Sequence, residues 1–462
     1  MRAAFQKLGQ RRFVRDTLVL QISTFVTGGS YLITSVLTKR YLGMDDLGRW
    51  NAARAIFMFA YFLVTAGVVS AAIARYSAAV GRSDRPACVN ALASMLKLGL
   101  VASVCVIALA FAFAPRFAEY KYDDADVGHF AALLCVSGLF EVVRGLAVVV
   151  LQGTRQMRAY SWFDVTSSLL RLGLVYGALE SGWGVPGVVW AFLVHMALAG
   201  ALALSFYRRA QRGDPKLAPP PLREVFAAVP RSSVGHIFGI SYLMALNKGI
   251  NILLPQLGTL LIPTLQVLKD SGQAFKQTGA YSIAYVLQWG VGLMLGGVTQ
   301  ALLPALGFKL GRDVPFEKMG GTLRRVSLIA GCVMVAATLL SVPVMYFVVH
   351  SIYGEGAEDA FRYYVLLTCG NLFLGFTCIV DAFYIYSGQL GLSVAINLAL
   401  GAVAAAGIYF GGVRYGPIGI SAAAGFADAL PLLHLVYIWV WFRRAKARSA
   451  AATLNTPGLP HD

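Results

Sequence analysis

Apolar runs of about 20 residues, the length a helix needs to cross a bilayer, recur from one end of the chain to the other. They lie near 17–38, 51–74, 92–114, 130–151, 162–181, 185–206, 232–254, 279–306, 326–349, 363–386, 391–411 and 418–441. No polar stretch between them reaches the roughly 50 residues of a small soluble domain. Charged residues make up 13% of the 462 positions, about half the share usual in soluble proteins, so lipid replaces water around most of the surface. The pattern predicts an all-α polytopic membrane protein with about twelve transmembrane helices.

The net charge of +17 would suit a nucleic-acid ligand, but its placement argues against one. About 25 Lys and Arg fall on one set of alternate loops, among them Arg2, Arg11, Arg12 and Arg15, then Arg82 and Arg85, Arg208 and Arg209, Arg324 and Arg325, and Arg443 and Arg444. About nine fall on the other set, including Lys39, Arg40, Arg49, Arg116 and Lys269. This is the positive-inside distribution. It predicts a multi-pass protein of a bacterial inner membrane with both termini in the cytoplasm. The basic flank before the run 17–38 resembles a signal peptide, but that run is too long for one and is followed by Lys39-Arg40. It reads as an uncleaved first helix. Of the six cysteines, five sit inside apolar runs and Cys88 stands in a basic loop. Without CxxC spacing or paired outer-loop cysteines, neither a disulfide nor a metal site is expected, and no cofactor is implied.

The chain repeats itself. Trp183-Gly184-Val185-Pro186-Gly187-Val188 recurs as Tyr415-Gly416-Pro417-Ile418-Gly419-Ile420, and each leads into a run ending in an aromatic residue and two arginines (Tyr207-Arg208-Arg209, Phe442-Arg443-Arg444). Gly48-Arg49-Trp50 parallels Gly279-Ala280-Tyr281, and Gly81-Arg82 parallels Gly311-Arg312. All four matches share one register, half the chain apart. Six spans per half is an even number, so the halves share an orientation, as in transporters that rock two parallel bundles about a central cavity. The boundaries predicted are an N-terminal six-helix bundle over 1–210 and a cytoplasmic Pro-rich linker over 211–231. A C-terminal six-helix bundle over 232–444 and a disordered cytoplasmic tail over 445–462 complete the chain.

Lys39-Arg40-Tyr41-Leu42-Gly43-Met44-Asp45-Asp46-Leu47-Gly48 resembles the turn after the first helix of polysaccharide-family oligosaccharide flippases, relatives of multidrug-and-toxin exporters and lipid II flippases. Ala72-Ile73-Ala74-Arg75-Tyr76, Leu303-Pro304-Ala305-Leu306, Tyr353-Gly354-Glu355 and Tyr415-Gly416-Pro417-Ile418-Gly419 fit the same family. The resemblance implies translocation of an oligosaccharide linked to undecaprenyl pyrophosphate from the inner to the outer leaflet. Two features depart from the family. The stretch 258–278 is longer than its usual connection, and the seventh run carries Asn247, Lys248 and Asn251 where family members often have an acid.

Ionisable residues inside a span are costly, and mark function by default. Glu141 and Arg144 share one helix face; Asp164 and Arg171 share another, roughly 10 Å apart along the axis. Lys248 sits in a polar stripe with two asparagines, and Arg54 near a span end could snorkel to headgroups. Arg144, Arg171, Lys248 and Arg54 are the candidate substrate-binding residues, the first three lining one central cavity. The reason is charge: a pyrophosphate needs cationic donors to leave water. The rival account of Arg144 and Arg171 is structural pairing with Glu141 and Asp164. Asp381, Asp428, Glu141 and Asp164 are the ion-coupling candidates, although packing is the blander account of Asp381 and Asp428. Lys97 reads as a snorkelling interface residue, and His195, His236 and His434 as packed neutral histidines.

No Walker A, HExxH or GxSxG string is present, so the chain reads as a transporter and not an enzyme. The leading function is a flippase for lipid-linked oligosaccharide, working by alternating access in surface polysaccharide synthesis. Its partners would be that substrate, membrane lipid and the polymerase and glycosyltransferases of the same process. The alternatives are a cation-coupled multidrug exporter, which would want acids in its lumen, and a membrane glycosyltransferase or polymerase, which would need a larger polar loop. The charge asymmetry generates a topology prediction. In intact cells Cys88 should be protected from a membrane-impermeant thiol reagent while a cysteine at Asp123 labels; the reverse would invert the orientation.

Overall fold

The computed structural model describes residues 2–454 except for 66, 213–217, 233–238, 240–241, 244–252, 255 and 311–315. Among these residues there are helices and turns and no strand. The N-terminal half contains α1 (Arg2–Thr65), α2 (Val68–Gly81), α3 (Arg85–Tyr122), α4 (Ala125–Gly153), α5 (Met157–Glu180) and α6 (Gly184–Gln211). A short α7 (Leu222–Ala228) follows, then α8 (Gln266–Asp270), α9 (Ala274–Gly292), α10 (Gly296–Leu310) and α11 (Gly320–Phe347). The chain ends with α12 (Glu358–Thr368), α13 (Asn371–Thr377), α14 (Val380–Tyr386), α15 (Leu390–Ala427) and α16 (Leu432–Leu454).

Seven helical stretches are long and apolar enough to cross a membrane, but two are too long to be single passes. Thr17–Phe62 has 46 residues and Leu390–Ala445 has 56, against the roughly 20 that a bilayer requires. Each reverses at one glycine. Gly43 has φ 78° inside α1 and Gly416 has φ 63° inside α15, a left-handed conformation that a Cβ makes costly. The reversal at Gly43 brings Tyr31 and Arg54, which flank it in sequence, into hydrogen-bond contact. After Gly416, His434 meets Asn397 across the same kind of hairpin, at 3.0 Å. Counting each hairpin as two passes, and adding α5 and the bent α12–α14 pair, the described residues supply eleven candidate membrane passes. The predicted seventh run, 232–254, lies mostly outside the described residues.

The fold corrects three sequence expectations. The second pass starts at Met44 instead of near residue 51, because one left-handed glycine suffices to turn the chain. Cys88 is not in a loop: it is buried in the first turn of α3, whose N-cap Asp84 accepts from the Ala87 amide at 3.0 Å. Protection of Cys88 would therefore report burial, and the topology probe belongs at exposed Ser83. Lys97 does not snorkel; its Nζ donates to the Pro230 carbonyl at 3.1 Å and holds the end of the linker. The long stretch 258–278 holds a 3-10 turn over Ile262–Thr264, then α8 and the start of α9.

The described part of the linker lies against the N-terminal half. Tyr207 donates to the Pro220 carbonyl at 2.7 Å, Arg85 pairs with Glu224 at 2.8 Å, and Val225 is buried. The two halves meet tightly at the end remote from the basic loops. A Cβ on Gly48 would lie 2.0 Å from the Phe275 carbonyl oxygen, and one on Gly279 would lie 2.6 Å from that of Met44. Lys39 donates to the carbonyls of Tyr353 (2.7 Å) and Glu355 (2.9 Å), and Arg40 to that of Ile352 (3.2 Å). Lys269 reaches Asp123 at 2.7 Å.

These contacts require bare backbone at Gly48 and Gly279, which gives a test. Cysteines at Lys39 and Glu355 should be joined by a short bifunctional thiol reagent. Gly48→Ala should lower that yield roughly fivefold or more, the population change that about 1 kcal/mol of overpacking produces. An unchanged yield would mean that the close approach does not hold this end shut.

Candidate functional site

Helix α5 is long enough for a span at 24 residues but carries Asp164 and Arg171 within it, and it is less apolar than the seven long apolar stretches. Asp164, Ser167, Ser168 and Arg171 place polar groups on one side of it, which cannot face hydrocarbon at low cost. That side turns toward α1, α4 and α6. Ser30 on α1 donates to the Ser168 carbonyl at 2.9 Å, and Ser167 bonds His195 on α6 at 3.1 Å. Between these helices lies a cavity of about 310 Å³ whose wall includes Arg54, Arg144, Arg171, Glu141 and Asp164.

Arg144 forms a bidentate ion pair with buried Glu141, one turn away on α4. Arg171 is held differently. Its guanidinium lies over the Tyr31 ring at 5.1 Å, and its buried Nε has no hydrogen-bond partner among the described residues. Arg54 lies over the same ring at 4.9 Å and donates to the Tyr31 hydroxyl. One ring thus holds two guanidiniums through its electron-rich face, close enough that they would repel without an anion nearby. With three arginines against two carboxylates, and Glu141 already engaged, the cavity carries excess positive charge.

A second cavity of about 630 Å³ lies between the halves, lined by Gln152 and Tyr160 on one side and by Asp381, Asn397, Asp428 and His434 on the other. Gln288 donates to Asp428 at 3.0 Å and to the Asn371 side-chain oxygen at 3.1 Å. His434 is buried between the Tyr384 hydroxyl at 2.9 Å and Asn397 at 3.0 Å. The Tyr31 and Trp289 rings meet edge to face at 5.1 Å. Tyr31 lines the first cavity and Trp289 the second, so this pair stands between them.

The candidates are therefore divided between two cavities. Arg54, Arg144, Arg171, Glu141 and Asp164 come together within the N-terminal half, where Val286 is the lone wall residue from the other half among the described residues. Asp381 and Asp428 line the cavity between the halves. Lys248, Asn247, Asn251 and His236 lie outside the described residues. Arg144 and Arg171 share one cavity, as the sequence suggested; its described wall comes from the N-terminal half apart from Val286, because α5 folds its polar side back onto its own bundle, and the expected contribution of Lys248 falls on a residue outside the described ones. Arg54 does not snorkel; the hairpin at Gly43 turns it onto Tyr31. Sequence reasoning missed Tyr31, Trp289, Gln288 and Asn371. Aromatic rings and neutral amides within a span give no charge signal.

Several solved structures share this fold. A MATE transporter in complex with MaL6 superposes with a TM-score of 0.74 at 16% identity, covering 95% of this chain and 97% of that one. An outward-facing multidrug resistance MATE family transporter of the MOP superfamily gives 0.74 at 16% identity over 95% and 96%. The MATE multidrug transporter DinF-BH gives 0.70 at 16% identity over 93% and 95%. No curated protein matches the chain in sequence. The model of the polysaccharide biosynthesis protein family matches residues 13–307, more than half of the chain, and the chain belongs to that family.

Proposed function

We propose that this chain is a flippase that carries a lipid-linked oligosaccharide across a bacterial inner membrane, its basic loops and both termini facing the cytoplasm. The observation that carries the reading is the arginine cavity. Arg171 lies over Tyr31 with its Nε unpaired among the described residues, and Arg54 shares the same ring, beside an Arg144 already paired to Glu141. Cations in excess of acids suit the diphosphate of a polyprenyl carrier, which a guanidinium binds with two parallel charge-assisted hydrogen bonds. Sugars would occupy the polar cavity between the halves, and the polyprenyl tail would stay in lipid. Family membership and a transporter fold support the reading.

In this conformation the halves are joined at the end we assign to the periplasm. A space of about 640 Å³ separates them at the basic end, between α2–α3 and α14–α15. We read this arrangement of the described residues as the one that would load substrate from the cytoplasmic leaflet.

The second reading, a cation-coupled drug exporter, draws on the MATE likeness and on Asp428 and Asp381 in the larger cavity. Deleting the chain separates the two. The flippase reading expects surface polysaccharide to be lost with drug tolerance unchanged, and the exporter reading expects the opposite. Asp428→Asn and Asp381→Asn that both keep normal surface polysaccharide would remove these carboxylates from energy coupling.

Arg171→Gln should cut export about tenfold or more, the effect of losing a charge-assisted contact of roughly 1.5–3 kcal/mol, while leaving protein abundance intact. Arg171→Lys should recover part of it. Normal export in Arg171→Gln would contradict the assignment. Arg144 needs a double-mutant cycle, because Arg144→Ala strands buried Glu141 and should lower abundance. Glu141→Ala with Arg144→Ala should restore abundance but not export; recovery of both would reduce Arg144 to a structural role.

A further inference from the structure

Trp289 is out of keeping with its helix. Val286, Leu287, Gln288 and Val291 beside it on α9 are buried, yet Trp289 is 40% exposed and borders the cavity between the halves. An indole at the end of a span needs only the headgroup region as its partner. Trp289 is not at an end. The apolar stretch runs from Ala274 to Thr299, which leaves Trp289 roughly 22 Å along the helix from one limit and roughly 15 Å from the other. Tyr31 covers part of the ring, meeting it edge to face at 5.1 Å. Gly292, one turn on, lines the same cavity and has no side chain to cover the rest.

The chemistry around the ring suits one class of ligand. A pyranose has a face of C–H groups that an indole can contact, and a rim of hydroxyls that both donate and accept. Gln152 and Tyr160 stand on the N-terminal-half wall of this cavity, and Thr377, Asn397 and Asp381 on the other, a mixed set of donors and acceptors. Its volume of about 630 Å³ falls within the roughly 300–1,000 Å³ of pockets that enclose small ligands. The indole is also close to the arginines. The Arg171 guanidinium carbon and the Trp289 ring each lie 5.1 Å from the Tyr31 ring centroid, so the two are within about 10 Å of each other. In a glycosyl diphosphate the first sugar is bonded directly to the terminal phosphate. A diphosphate held by Arg171 therefore leaves that sugar, and not a later one, at the indole. We infer that Trp289 is the stacking platform for the first pyranose of the lipid-linked saccharide, a specificity-determining residue in the cavity between the halves. The inference rests on the flippase reading and adds to it a residue that reads the sugar separately from the diphosphate.

The two ideas fail separately in one set of titrations. The full chain in nanodiscs is titrated calorimetrically with farnesyl diphosphate carrying glucose, galactose or N-acetylglucosamine on its terminal phosphate. The methyl ester of farnesyl diphosphate, equal in charge and without a sugar, is the comparison. The parent should bind at least one glycosylated probe about tenfold more tightly than the methyl ester, and Trp289→Leu should cut that gain roughly fivefold, the worth of one aromatic contact. Trp289→Phe should keep part of it. Arg171→Gln should weaken every probe and leave the gain intact. An unchanged gain in Trp289→Leu overturns the platform. So does equal weakening of the glycosylated probes and the methyl ester in that variant, because Trp289 would then only support Tyr31. No gain for any sugar in the parent overturns it too, with the flippase reading left standing on the methyl ester. Binding of neither kind of probe overturns the flippase reading itself.

Discussion

A charged side chain on a membrane helix must find a partner, reach water or carry a large cost, and in this chain that constraint acts most strongly on α5. Asp164 and Arg171 lie two turns apart on a pass whose other faces are apolar, and neither can be left to lipid. The helix therefore turns that side toward α1, α4 and α6, which supply Tyr31, Glu141, Arg144 and His195. Once those groups converge, side chains alone do not fill the space between them, and a cavity remains. Tyr31 supports two guanidiniums at once, an arrangement that holds positive charge in place without neutralising it. The proposed substrate chemistry follows from that residual charge.

At one end backbone touches backbone where Gly48 meets Phe275 and Gly279 meets Met44, and Lys39 and Arg40 donate to carbonyls of the other half. Such contacts hold when the halves are together and vanish as a group when they part, which suits a two-state element. At the basic end Gln21 links α1 to the break between α9 and α10, donating to the Leu293 carbonyl at 2.9 Å and accepting from the Gly297 amide at 3.1 Å. That link fills backbone groups a broken helix leaves unpaired.

Most of the architecture was legible in the sequence because hydrocarbon leaves the backbone few choices. Length and apolarity located the passes, and the repeat of Tyr415-Gly416-Pro417 with Trp183-Gly184-Val185 marked equivalent turns. What escaped was local. The hairpin at Gly43 needs one left-handed residue, whereas the composition of 39–50 suggested a longer loop. Cys88 looked exposed because its neighbours are basic, yet the cap at Asp84 starts α3 early enough to bury it. At the site, charge made Arg171, Arg144 and Asp164 visible. Nothing in one dimension tells which bundle a polar face will address, so their grouping with Tyr31 and their separation from Asp428 required the fold. Neutral groups such as Gln288 and Asn371 carry no hydropathy signal strong enough to single them out.

The most direct measurement is an experimental structure of the chain in lipid with a polyprenyl-diphosphate-linked saccharide bound. The account predicts density for the diphosphate inside the cavity of the N-terminal half, within hydrogen-bonding distance of Arg171 and Arg54, with the sugars extending past Tyr31 and Trp289 toward the space between the halves. A diphosphate seated instead beside Asp428 and Asp381, with the arginine cavity unchanged, would contradict it.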